Sequence, residues 1–337
     1  MPTCRYILIL LLGLCSWHMA FAVQKVDPYQ LSVPANGQLG ADQKSAFDQM
    51  IVRVTGGSQA LSNPIVAKAE SRAGGYMQQY AYQQRDGKRW LSIVFNRSQV
   101  ESVLTQAGQR FWGDLRPLTL IWYVSEQNSQ QNFVADGSDH AQQLHQIAQN
   151  LALPVIFPIM DLRDSMAVST TDVWGNFDQP IIKASQRYQA DTALVVKQYS
   201  DDNLGTGLSW HLLDLRSNQV LGQGQFNGPS VANLDLQMFQ QVASDLAAHF
   251  AVVRSVKPGG QIKLTFTHLD NFREYYRVEK FLSGQPSVAS IELSYVDNNQ
   301  YTFDIRLMGQ WKDLQAALNL NPTYQADAHD PYLYQRQ

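Results

Sequence analysis

The chain has 337 residues, 45% hydrophobic and 16% charged, which excludes an intrinsically disordered chain and leaves room for two or three domains. Its 26 basic and 29 acidic residues give a net charge of −3. That balance carries no electrostatic footprint for nucleic acid or for an anionic membrane surface.

Residues 1–22 read as an export signal. Arg5 and the α-amine form a short basic region, residues 6–15 an apolar core, and Ala20-Phe21-Ala22 a small-x-small cleavage site. The apolar core is shorter than the ~20 residues of a membrane span. The expectation is therefore cleavage after Ala22 and a mature chain in the periplasm. Leu14 stands where a lipoprotein signal ending at Cys15 needs a small residue. Cys4 and Cys15 both fall in this segment, so no disulfide, thiol nucleophile or cysteine metal site is expected in the mature chain. No later apolar run reaches membrane length.

An N-terminal α+β domain is expected over residues 23–112. Residues 29–33 read as a strand. Residues 42–54 place Ala46, Phe47, Met50, Ile51 and Val54 at helical spacing, and Thr55-Gly56-Gly57 stops that helix. Asn63-Pro64 opens a second helix, ended by Gly74-Gly75. Residues 76–83 and 89–95 form a hairpin around Asp86-Gly87, and 98–107 form another amphipathic helix. The stretch 110–117, RFWGDLRP, reads as a linker.

A central α/β domain with a mixed sheet is expected over 113–255. It opens with a strand at 118–124, a polar loop at 125–138 and a helix at 139–151. Residues 153–160 are an apolar run broken by Pro154 and Pro158, so any strand there is short. Asp178 caps the next helix. Residues 192–196, TALVV, read as a central strand covered on both faces. Residues 208–215 and 219–226 form a hairpin turning at Ser217-Asn218. The helix 234–253 points Leu236, Phe239, Val242, Leu246 and Phe250 inward.

Lys257-Pro258-Gly259-Gly260 reads as a second linker. The pattern β-α-β-β-α over 262–318 plus a short closing strand predicts a C-terminal ferredoxin-like domain over 258–322. Residues 323–337, rich in Tyr, Pro and Asp without periodicity, are expected to form a loose tail.

The β-α-α-β-β order of the first domain resembles the POTRA domains of bacterial envelope proteins. The run YQADTALVVK, followed by a Trp-bearing strand, a hairpin and a long helix, is similar to three envelope modules. These are the middle domain of the flagellar T-ring protein, the N-terminal domain of TolB, and lipoprotein activators of penicillin-binding proteins. VRVTGG with a following NP, FWGDLRP, LPVIFPIMDLRD, DVWGNFDQP and RYQADTALV together resemble the secreted family catalogued as domain of unknown function 2066, over residues 26–320. That resemblance implies a fold and a location, and it assigns no catalytic residue.

The mature histidines are scattered, and His140 and His145, five apart, do not share a helix face as a zinc pair would. There is no Walker loop, dinucleotide fingerprint or GxSxG elbow. No metal and no cofactor are expected. One stretch concentrates reactive chemistry: Asp161, Arg163, Asp164, Asp172, Trp174, Asn176 and Asp178. Two carboxylates there could serve as acid and base in glycoside cleavage, in a crevice at the sheet edge. In the structural reading, Arg163 pairs with Asp161, Asp164 or Asp172, Asp172 and Asp178 cap helices, and Trp174 inserts beneath the loop. The expected function is a non-enzymatic periplasmic envelope protein that binds another envelope protein or a cell-wall component. The alternative is a cell-wall glycoside hydrolase using residues 161–178.

Overall fold

The computed structural model describes residues 26–85, 87–201, 205–255 and 260–336. The segment 1–22 expected to be an export signal and Asp86, together with Lys257, Pro258 and Gly259 of the second linker, lie outside the described residues.

The first unit runs β1 (Gln30–Pro34), α1 (Leu39–Thr55), α2 (Pro64–Glu70), β2 (Met77–Arg85), β3 (Lys88–Phe95) and α3 (Arg97–Gln106). The stripe Ala46, Phe47, Met50, Ile51 and Val54 buries against Leu91, Ile93 and Phe95 of β3 and Val66, Val100 and Leu104 of the other helices. Gly56 ends α1 at φ 82°, and its N–H bonds the Val52 carbonyl. Asn63 accepts from the Ile65 N–H to cap α2, with Pro64 at the first helical position, and Asn96 caps α3 through the Gln99 N–H. The three strands lie antiparallel in the order β1-β3-β2.

The central unit begins with β4 (Arg110–Phe111), β5 (Thr119–Gln127), β6 (Gln130–Phe133), α4 (Asp139–Asn150) and β7 (Val155–Ile156). It continues with α5 (Leu162–Ala167), α6 (Thr170–Trp174), α7 (Asp178–Ser185), β8 (Thr192–Asp201), β9 (Gly205–Asp214), β10 (Val220–Gly228), α8 (Val231–Phe250) and β11 (Val252–Val253). Six strands form a mixed sheet in the order β10-β9-β8-β5-β6, with β7 also on β5. β5 pairs parallel with β8, and β8 antiparallel with β9. Leu194 and Val196 join Ile121 and Tyr123 under α4 and α8. Ala193 and Val195 join Leu120 and Trp122 under the α6–α7 side. Burial on both faces is why TALVV is apolar without alternation. Asp235 of α8 is buried, accepting from the Tyr123 hydroxyl at 3.0 Å and paired with His140 Nε2 at 2.8 Å, which ties β5, α4 and α8 together.

Three expectations change here. The polar stretch 125–138 is partly strand, because Asn128 and Ser129 adopt φ of 51° and 61° and turn β5 directly into β6. Leu236 faces solvent, since the buried stripe of α8 runs through Leu234, Met238, Phe239, Val242 and Leu246. The stretch 110–117 is packed rather than open. Phe111, Trp112 and Arg116 are buried and β4 pairs with β11, because two large aromatic rings gain more from burial than an exposed linker could keep.

The last unit comprises β12 (Gln261–Thr267), α9 (Phe272–Ser283), β13 (Val288–Asp297), β14 (Gln300–Leu307), α10 (Trp311–Asn319), β15 (Tyr324–Ala326) and β16 (Leu333–Arg336). Its sheet order is β13-β14-β12-β16-β15. The expected loose tail, 323–337, carries two of these strands. Tyr324 and Tyr334 are buried against Phe266, with ring centroids 5.2 and 5.6 Å away. The strands are three and four residues long, too short to show a period in sequence. The turn from β15 to β16 reverses the chain, so β16 lies parallel to β12, unlike the antiparallel closing strand of a plain β-α-β-β-α-β unit.

Candidate functional site

Between the end of β7 and the acidic stretch, which begins at Asp161, lie residues 157–160 with a single proline, Pro158. The stretch expected as a loop contains α5 and α6, both begun by local caps. Asp161 caps α5, its Oδ1 accepting from the Asp164 N–H at 3.0 Å. Arg187, in the turn after α7, forks onto Asp161, Nη1 to Oδ1 at 2.8 Å and Nη2 to Oδ2 at 2.9 Å. The same Nη1 reaches Asp164 Oδ1 at 2.9 Å. Asp164 is fully buried, and its Oδ2 accepts from the Met160 N–H at 3.0 Å and from the Tyr188 hydroxyl. The Tyr188 oxygen in turn accepts from the Ile159 N–H at 2.9 Å. One guanidinium, two carboxylates and one phenol thus pin the chain over the sheet.

The charges follow from these contacts. The Arg187 fork, helped by the Asp164 N–H, holds the Asp161 carboxyl well below the usual carboxylate range. Hydrogen bonding to Asp161 raises Arg187. Burial, with the hydrogen bond to Asp164 adding to it, pushes the Tyr188 phenol up to about 12.

The other expected residues separate into local roles. Arg163 is exposed on α5, and the arginine of the pair is Arg187. Successive helical residues point about 100° apart, so Asp164 facing inward turns Arg163 outward. Asp172 forms a capping box with Ser169: its Oδ2 accepts from the Ser169 N–H at 2.7 Å, and Ser169 Oγ accepts from the Asp172 N–H at 3.2 Å. Trp174 is half-buried at the margin of the cluster under α7, not inserted beneath the Asp–Arg network, and its carbonyl accepts from Lys197 Nζ at 3.2 Å. Asn176 takes φ 55° in an exposed turn. Asp178 is the first residue of α7, with Phe177 at the cap position. Instead of capping, its Oδ1 meets His211 Nε2 of β9 at 2.8 Å.

Asp161 and Asp164 are therefore brought together, while Asp172 and Asp178 serve separate contacts. A glycosidase asks for one carboxyl with a raised pKa and another open to the sugar. Here Asp161 is lowered and Asp164 is sealed. Among the described residues no group of three His, Cys, Asp or Glu is arranged to hold a metal ion.

Sequence reasoning missed the roles of Arg187, His211 and the Tyr188 hydroxyl, although RYQADTALV contains Arg187 and Tyr188. It also missed four large apolar side chains exposed in this segment or just before it. Ile159 is 68% exposed, Leu162 75%, Met166 81% and Phe177 55%. Leu162 and Met166 lie one helical turn apart on α5, which was the available signal.

The model of a domain of unknown function, DUF8605, matches residues 22–113. It is a different family from the one numbered 2066, and it too has no stated function. No curated protein matches the chain. Several solved structures overlap part of it. The LpoB C-terminal domain from Salmonella enterica is 16% identical, covering 39% of this chain and 94% of that one, with a TM-score of 0.25. A PelC dodecamer from Paraburkholderia phytofirmans is 12% identical over 40% of this chain and 88% of that one, with a TM-score of 0.22. TolB from Acinetobacter baumannii is 14% identical over 46% of this chain and 33% of that one, with a TM-score of 0.26. No described helix is long and apolar enough to cross a membrane.

Proposed function

We propose that this chain is a non-enzymatic periplasmic accessory module that binds another envelope protein through the exposed side chains of Ile159, Leu162, Met166 and Phe177. The observation that carries the reading is the exposure of these four large apolar side chains in a stretch whose carboxylates Asp161, Asp164, Asp172 and Asp178 are all engaged in protein contacts. Large apolar side chains exposed together on a rigid support mark protein contact surfaces. The Asp161–Asp164–Arg187–Tyr188 network supplies the support, so its chemistry is positional. The periplasmic location rests on the signal-like segment 1–22, read as cleaved after Ala22. Kinship of residues 23–112 with POTRA domains belongs to the same reading and rests on their β-α-α-β-β element order.

The test uses the mature chain, cross-linked in its native envelope. A discrete partner captured by wild type and lost with Leu162→Ser/Met166→Ser, in a variant with unchanged melting, supports the reading. Capture that survives the double substitution, or release of sugar from purified cell wall by the wild-type chain, overturns it.

A further inference from the structure

The stretch FWGDLRP is used by no part of that reading, yet it holds the most unusual electrostatics in the molecule. Arg116 is 2% exposed and Arg53, in the last turn of α1, is 9% exposed. Arg116 lies over the Trp112 ring, its Cζ 4.0 Å from the ring centroid. Its Nη2 donates to the Arg53 carbonyl at 2.8 Å, which also accepts from Trp112 Nε1 at 3.1 Å. The Arg53 side chain donates through Nη2 to the Asp27 carbonyl at 3.3 Å. Both guanidiniums are thus bound to neutral carbonyl groups, and neither forms an ion pair with a described carboxylate.

Three buried nitrogens remain without a hydrogen-bond partner: Nε of Arg53, and Nε and Nη1 of Arg116. A buried charged donor without an acceptor is among the most costly arrangements in a protein interior. The nearby carboxylates have other engagements. Glu101 accepts from the Tyr29 hydroxyl and from Arg254, Asp114 pairs with Arg97, and Asp27 accepts from the Tyr29 N–H. Among these named residues four guanidiniums (Arg53, Arg97, Arg116, Arg254) face three carboxylates (Asp27, Glu101, Asp114), a surplus of one positive charge. Burial brings Arg116 down to about 9, with the Arg53 charge adding to it, and burial brings Arg53 down to about 10. In both, burial outweighs the nearby carboxylates, Asp27 beside Arg53 and Asp114 beside Arg116.

We propose that Arg53 and Arg116 form a binding site for one small oxyanion, of the carboxylate or phosphate class, at the junction of the first unit with the central one. Guanidinium N–H groups present a planar fork that matches two oxygens of such an ion, and the stack on Trp112 fixes the plane of that fork. One bound negative charge would satisfy the idle donors and cancel the surplus charge. Water could satisfy the donors but not the charge. The ion would bridge α1 to the 112–117 segment and so tie the two units together.

The experiment is thermal unfolding of the full mature chain, titrated with sodium phosphate and, separately, with sodium acetate, against sodium chloride at matched ionic strength. Phosphate, like sulfate, also stabilises folded proteins by exclusion at high concentration, so the titration stays in the low millimolar range and is read against the arginine variant. The expected result is a midpoint that rises at low millimolar phosphate or acetate in proportion to the logarithm of concentration, as for one bound ligand. The arm that responds identifies the class of ion. Binding measured by equilibrium dialysis of labelled phosphate or acetate should weaken at least about tenfold in Arg116→Gln, the loss of one charged hydrogen bond. If that variant does not fold, Arg53→Gln serves the same comparison. Equal midpoint rises in wild type and variant, or no saturable binding of either ion to wild type, overturn the proposal.

Discussion

Asp164 is fully buried, and its carboxylate is held by Arg187, the Tyr188 hydroxyl and the Met160 N–H. Removing one donor leaves the carboxylate buried with fewer partners, and that costs more than the hydrogen bond is worth on balance. Tyr188→Phe keeps the ring and deletes the hydroxyl, so it should destabilise by about 1.5–3 kcal/mol, the range for hydrogen bonds to charged groups. Arg163→Ala removes an exposed side chain on the same helix and should stay within about 0.5 kcal/mol of wild type. Denaturant melts of both variants check the pair. A larger loss for Arg163→Ala than for Tyr188→Phe would mean that Arg163, not Arg187, anchors the segment. The sequence placed an arginine among these aspartates correctly in kind. It could not place it in position, because proximity along the chain favoured Arg163 while the fold brings Arg187 back from beyond α7.

At the scale of elements, β16 decides whether the last sheet is closed. Tyr334 is fully buried against Phe266, and its hydroxyl has no hydrogen-bond partner. The two parts of this side chain therefore pull in opposite directions. Tyr334→Ala should cost about 3–5 kcal/mol, as for emptying other large aromatic sites. Tyr334→Phe should be neutral or stabilising, because it removes a buried donor that bonds nothing. Thermal melts that show Tyr334→Phe losing as much as Tyr334→Ala would point to a partner for the hydroxyl and refute this account. Most longer elements were legible: α1, α8, the hairpin β2–β3 and strands β8 to β10 all follow a period or a turn signal. β15 and β16 were not, because three or four residues do not establish a pattern and the strand that joins them to the sheet, β12 beside β16, lies more than 60 residues away from its partner.

Across the whole molecule, the first and central units meet through backbone packing that Gly56 permits. A Cβ at this position would lie 2.3 Å from the Ala247 Cβ and 2.7 Å from the Ala243 carbonyl oxygen of α8. The residue also has φ 82°, which L side chains rarely adopt. Gly56→Ala should therefore cost more than about 1 kcal/mol and push α1 away from α8. The 112–117 segment leans on the end of α1 through Trp112 and Arg116, so this displacement should expose it. Chymotrypsin should cut after Trp112 faster in the variant than in wild type, where that ring is buried. Equal cleavage rates would mean that the segment is held independently of the α1–α8 contact.

Composition and local pattern determined much about this chain on their own: a globular mixed α+β architecture, the main helices and hairpins, the two-sided burial of TALVV, and an acidic segment built for contacts. These follow from side-chain periodicity, capping and turn chemistry, which act over a few residues. The tertiary structure decided which arginine meets Asp161 and Asp164, that Asp178 faces His211, that RFWGDLRP is buried, and that residues beyond 323 complete a sheet. Each of those outcomes is a contact between positions far apart in the chain. No local propensity encodes such a contact, because its free energy comes from surfaces and charges that meet only after the chain has folded.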